Sequence, residues 1–218
     1  MRTSFSIAAL LVGTAVAAPI IPFVTTTAVI PLQEDGGVGA LSAATEISRR
    51  QSSKKACFII GSKTLPKEVA DIATSLASTV SCDSSAKTIS GVPDVKSGST
   101  TFSSIDFSKS KQTGLQFALS KFATAEPLAS TDLKKFQDML NVYQATEAGI
   151  RSVGGSLAIK VPKFFLEMQV SRIQTAQGNP PSAPGLQVDH LRDKVLKNAP
   201  KESSALLNQV KQLATQLK

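Results

Sequence analysis

Lys160-Val161-Pro162-Lys163-Phe164-Phe165-Leu166-Glu167-Met168-Gln169-Val170-Ser171-Arg172-Ile173-Gln174-Thr175-Ala176-Gln177-Gly178 is the stretch on which the fold turns. Pro162 sits where a first helical turn tolerates it, and Gly178 stops the run. Phe164, Phe165, Leu166, Met168, Val170 and Ile173 cover several faces of a helix instead of one. A helix apolar on most sides has to be surrounded, so this segment is expected at the buried centre of a helical bundle. Leu157, Ile159 and Val161 lead into it. Just upstream, Gly154-Gly155-Ser156-Leu157-Ala158 lacks the final glycine of a nucleophile elbow and reads as a helix stop.

Working outward, a preceding helix is capped by Ser130 or Thr131 and carries Leu133, Phe136, Leu140, Tyr143 and Ile150 on a narrow stripe, with its acids elsewhere. Before it, Leu115, Ala118, Leu119 and Phe122 mark a helix that ends ahead of Pro127. The first helix opens near Leu65, with Pro66 in its first turn and Glu68 placed to suit the helix dipole; Val69, Ile72, Ala73, Leu76 and Val80 follow at helical spacing. Between Cys82 and Lys111 the residues turn to Ser, Thr, Gly and Asp, broken by Gly91, Pro93 and Gly98. This reads as an ordered loop or short hairpin pinned to the core by Phe102, Ile105 and Phe107. On the other side, 178–185 is a stiff Pro/Gly connector. Two amphipathic segments follow it, one using Val188, Leu191 and Val195, the other Leu206, Val210, Leu213 and Leu217. The expected fold is all-α, a bundle of about five to six helices with a Ser/Thr-rich loop between the first and second.

The N-terminus carries processing signals. Arg2, the apolar run Phe5 to Val16 and Ala15-Val16-Ala17 have the form of a secretory signal peptide over 1–17, cut after Ala17 so that Pro19 does not flank the scissile bond. The run is too short for a membrane span, which takes about 20 residues. Residues 18–50 are broken by Pro22, Pro31 and Gly36-Gly37 and end in Arg49-Arg50, so they read as a pro-segment removed at a dibasic site, leaving 51–218 as the mature helical domain. In an oxidising compartment Cys57 and Cys82 have only each other as partners. They are expected to form a disulfide that ties a strand-like segment, Phe58 to Ile60, to the end of the first helix.

Composition narrows the chemistry. The chain has 218 residues, one His, two Cys, one Tyr and no Trp, and a net charge of +8 that the removal of 1–50 leaves unchanged. With no thiol free, His190 is the only imidazole, and it sits beside Asp189 on a polar helix face where a surface role is expected. No residues are assigned to catalysis, to a cofactor or to a metal, and the acids are too scattered to read as a ligand set. Lys and Arg are dispersed without interleaved aromatics, so nucleic acid is not an expected partner. Asn141, Asn179, Asn198 and Asn208 all lie outside N-x-S/T sequons.

Cys57-Phe58-Ile59-Ile60-Gly61, Ser104-Ile105-Asp106-Phe107-Ser108, Pro127 to Leu133, Tyr143 to Ser152 and Lys160 to Gly178 resemble an uncharacterised family of small secreted proteins of filamentous fungi. The resemblance covers most of 51–218 and implies an extracellular, effector-like protein; it transfers no catalytic residue. A weaker resemblance is to the fungal hydrophobic surface-binding proteins, from which the cysteine pair and the Phe-rich helix depart. The expected function is therefore a secreted, non-enzymatic interaction protein that recognises an extracellular host or cell-wall component. The alternative is a helical carrier or surface-active protein that takes an apolar ligand or hydrophobic surface against Phe164, Phe165, Leu166 and Met168.

Overall fold

The computed structural model describes residues 55–218; the expected signal peptide and pro-segment, with the processing residues Ala17, Arg49 and Arg50, lie outside the described residues. Six α-helices form within that range: α1 (Lys67–Leu76), α2 (Gly114–Lys121), α3 (Leu133–Val153), α4 (Lys160–Ala176), α5 (Val188–Asn198) and α6 (Ser204–Thr215). Among them runs a three-stranded antiparallel sheet, β1 (Ser81–Lys87), β2 (Pro93–Ser97) and β3 (Thr100–Thr101), in the order β1-β2-β3.

The sheet corrects the all-α expectation. The Ser/Thr-rich stretch, read as an ordered loop or short hairpin, pairs Cys82 with Val95 and Ser81 with Lys96, slips register between Asp83 and Lys87, then turns at Gly98 to pair Lys96 with Thr101. β1 has no apolar alternation, and mostly faces solvent. Strands of this kind are held by their ladder bonds and by what packs on them, so periodicity gives no sign of them. β2 supplies the apolar contact through Val95, which is fully buried, and it lies with β3 against α3.

α3 and α4 form the centre. α4 packs on α2, α3 and α5, while α3 also carries α1 and the sheet. α4 is buried as expected, but the stripe on α3 is wider than expected: Phe136, Met139, Val142, Tyr143, Ala145, Ala148 and Ile150 are all buried, together with Asp138 and Glu147. The cap also differs. Asp132 is the N-cap, accepting from the Lys135 amide at 3.0 Å, while Thr131 is buried and its Oγ1 accepts from the Ala125 amide. At the other end Gly154 takes a left-handed conformation, φ +73°, and closes the helix as expected.

The single tyrosine joins the two halves of the chain. Its ring meets Phe102 and Phe122 edge-on, at 5.1 and 5.7 Å between centroids, and its hydroxyl donates to the Ile105 carbonyl at 2.7 Å. Phe102 and Ile105 are buried and Phe107 partly so, which anchors the 102–109 turns to the core as expected.

Cys57 and Cys82 are disulfide-bonded across 25 residues. Phe58 to Ile60 is not a strand, and the far end of the bridge lies in β1, just past the first helix. The segment instead docks on α3. Ser152 Oγ accepts from the Gly61 amide at 3.0 Å and donates to the Gly149 carbonyl at 2.6 Å. A Cβ on Gly149 would stand 2.6 Å from the Phe58 carbonyl oxygen, so only glycine allows this approach.

Candidate functional site

Three helices present polar, titratable residues at i, i+4 spacing toward a shared groove, a separation that stacks side chains on one helix face. α3 offers Glu147 and Arg151, α4 offers Lys163 and Glu167, and α5 offers His190 and Lys194, while α1 closes the far wall with Glu68, Val69 and Ile72. Between them is a groove of about 290 Å³, rimmed by Leu186 in the turn before α5.

The floor of the groove is a desolvated ion cluster. Glu147 Oε1 accepts from Arg151 Nε at 2.8 Å, and Glu147 Oε2 stands 3.4 Å from Lys163 Nζ. Lys163 also lies 3.4 Å from Glu167 Oε1, which accepts from Gln144 Nε2 at 3.0 Å. The side chains of Glu147, Lys163 and Glu167 are each no more than 10 % exposed, so each charge depends on its neighbours in place of water. Lys163 Nζ also sits 3.6 Å from the centroid of the Phe164 ring, with Lys160 at 5.9 Å and Lys194 at 6.0 Å from the same ring. The ring's electron-rich face is what draws them. Burial and the repulsion of Arg151, Lys163 and Lys194 hold the Lys160 amine below its ordinary pKa, partly offset by Glu147.

The four residues expected to meet an apolar ligand divide. Phe165, Leu166 and Met168 are fully buried and fill the core, whereas Phe164 is half-buried and lines the groove. His190 is exposed on the groove wall. The carboxylates of Asp189 and Asp193, its neighbours in sequence, bond to Arg192 at 2.7 and 2.9 Å. Gly154-Gly155 closes α3, with the Gly155 amide bonded to the Ile150 carbonyl. Among the described residues no group of three or more His, Cys, Asp or Glu side chains is placed to hold a metal, and no helix is long and apolar enough to cross a membrane.

Sequence reasoning missed Glu147, Arg151, Lys163 and Glu167 as a set. Each i, i+4 pair reads as a solvated salt bridge, and only the packing of α3 on α4 desolvates both. The available signal was their reversed order, acid before base on α3 and base before acid on α4, which lets the two pairs interlock. A more open depression of about 390 Å³ lies by the connector and α6, where the buried Ser171 hydroxyl has no partner; its one charged residue, Asp189, is already bonded to Arg192.

No curated protein and no solved structure matches the chain. A family model described as a domain of unknown function, DUF7143, matches residues 59–218. That range contains every residue of the groove, and the chain belongs to the DUF7143 family.

Proposed function

We propose that the protein is secreted, matured by removal of residues 1–50, and acts without catalysis as an effector-like interaction protein that recognises an extracellular host or cell-wall component. The observation that carries this reading is the groove, where a half-buried aromatic ring and exposed Leu186 stand over a desolvated ion cluster. Such a mixture of apolar wall and fixed polar groups suits recognition of a ligand. The Cys57–Cys82 bridge is compatible with an extracellular protein. The leader, the dibasic pair Arg49-Arg50 and the resemblance to small secreted fungal proteins support export.

The test starts with the full chain expressed through a secretory pathway. Intact mass and N-terminal sequencing should give Gln51 as the first residue; Ala18 as the sole N-terminus would remove the pro-segment. Soluble cell-wall polysaccharides and phenolic acids should then raise the melting temperature of the secreted protein without being consumed. Turnover of an ester, peptide or glycan that one groove substitution abolishes would overturn the reading.

A further inference from the structure

We propose that the groove between α1, α3, α4 and α5 binds a small organic anion, a single ring or similar flat apolar body bearing one carboxylate or phosphate held by Lys194 on the groove wall, with Lys160, 5.9 Å from the Phe164 ring, adding its charge from beside the groove. This deepens the binding reading above and rests on it.

The charge comes first. Three ammonium groups surround Phe164, and they are not equivalent. Lys163 is committed to Glu147 and Glu167, whereas Lys160 and Lys194 form no ion pair with any described residue. Both are only partly exposed, so water screens them incompletely. Burial is the main cause that lowers the Lys160 amine; the repulsion of Arg151, Lys163 and Lys194 adds to it, offset in part by Glu147, and an anion beside these groups would relieve that repulsion.

The start of α4 adds to that potential. Its first turn holds Lys160 and Lys163, no acid and no capping side chain, although the N-terminal end of a helix favours negative charge. A cationic ligand has less to meet. Lys163 already occupies the Phe164 face at 3.6 Å, Glu147 and Glu167 are taken by Arg151, Lys163 and Gln144, and Glu68, the remaining acid of the wall, is exposed to solvent.

Size and walls define the rest of the ligand. About 290 Å³ is the share of on the order of ten waters, room for one ring and its charged substituent. Val69, Ile72 and Leu186 offer an apolar side to that ring, and Leu186 is 52 % exposed, with surface left to bury.

Calorimetric titration of the secreted protein with benzoate, phenyl phosphate, inorganic phosphate and benzyltrimethylammonium tests the assignment. The two aryl anions should bind, inorganic phosphate should bind about tenfold more weakly or worse for want of the ring, and the quaternary cation should not bind. Lys194→Gln should weaken the aryl anions about tenfold, as expected for loss of a charge-assisted hydrogen bond, and Lys160→Gln should weaken them by less, as loss of a neighbouring charge. Lys211→Gln on α6 should leave binding unchanged, and added salt should weaken it. Equal binding of aryl anion and aryl cation would overturn the proposal, as would folded Lys160→Gln and Lys194→Gln variants that bind like the parent. If no probe binds at millimolar concentration but a polysaccharide still raises the melting temperature, this proposal fails and the binding reading stands. If nothing binds, both fail.

Discussion

Residues 55–110 and residues 113–218 reach burial by different means. The second region is built from helices whose apolar spacing selects the inward face, and its two longest members, α3 and α4, bury most of what they carry, polar groups included. The first region has one such helix, α1; beyond it the strands run seven, five and two residues, and β1 has no apolar face. It is held by a covalent bridge, by side chains that bond to backbone and by a docking surface on α3. The carboxylate of Asp94, for example, accepts from both the amide and the hydroxyl of Ser103. Where an element is too short to define an inward face by repetition, local polar bonds and a crosslink stand in for it.

The sharpest way to break the contrast lies in the helical region. Glu147→Ala removes the acid that Arg151 and Lys163 share, and leaves Lys163 buried with Glu167 alone. Breaking a buried pair in this way is expected to destabilise the fold by about 3 kcal/mol or more in urea unfolding. The double variant Glu147→Met with Lys163→Met should recover much of the loss, because an apolar pair of similar volume carries no desolvation penalty. A loss below about 1 kcal/mol for Glu147→Ala would mean that the cluster behaves as a surface ion pair.

Replacing both Cys57 and Cys82 by serine should cost somewhat less, roughly 3 kcal/mol for a loop of this length. The comparison predicts where the loss appears. Amide exchange should accelerate in β1 and β2 while α4 and α5 keep their protection. Uniform acceleration would show that the two regions unfold as one.

At the seam between the regions, Gly149→Ala would press a methyl group against the Phe58 carbonyl and both Val92 methyls, at 2.6 and 2.8 Å. Relieving that contact requires the docked segment to shift, at a cost of about 2 kcal/mol by thermal or chemical unfolding. An unchanged stability would mean that residues 57–61 contribute little to the fold.

The smallest effect is the loss of the Tyr143 hydroxyl. Tyr143→Phe removes its bond to the Ile105 carbonyl, for about 1 kcal/mol. Burial, reinforced by the Asp106 carboxylate, pushes the Tyr143 phenol far above its ordinary pKa. The unfolded chain therefore releases this proton at about pH 10 while the folded chain keeps it. The stabilising contribution is complete below about pH 10 and is lost as the pH rises beyond it. Because the chain has one tyrosine and no tryptophan, phenolate absorbance should appear together with unfolding; ionisation that precedes unfolding would contradict the burial.

Much of the helical structure is legible in the residues themselves. The apolar spacing of Val69 to Leu76, the stop at Gly154 and Gly178 and the paired C-terminal segments are local properties, set by backbone sterics within a turn or two, although the first helix ends at Leu76 and the expected continuation to Val80 is a turn. A chain with two cysteines also leaves a single intramolecular pairing, and Cys57 bonds to Cys82. What stayed hidden depends on neighbours distant in sequence. β1 is a strand because Cys82 and Ser81 face Val95 and Lys96, not because of its own composition. Phe164 lines a groove while Phe165, one residue later, is fully buried, a difference that only the position of α3 and α5 around α4 decides. Glu147 and Lys163 look like solvated charges until packing removes the water between them. Periodicity and terminators act over a few residues and can be read directly; pairing, burial and desolvation are properties of surfaces brought together by the whole fold, and the groove is made of those.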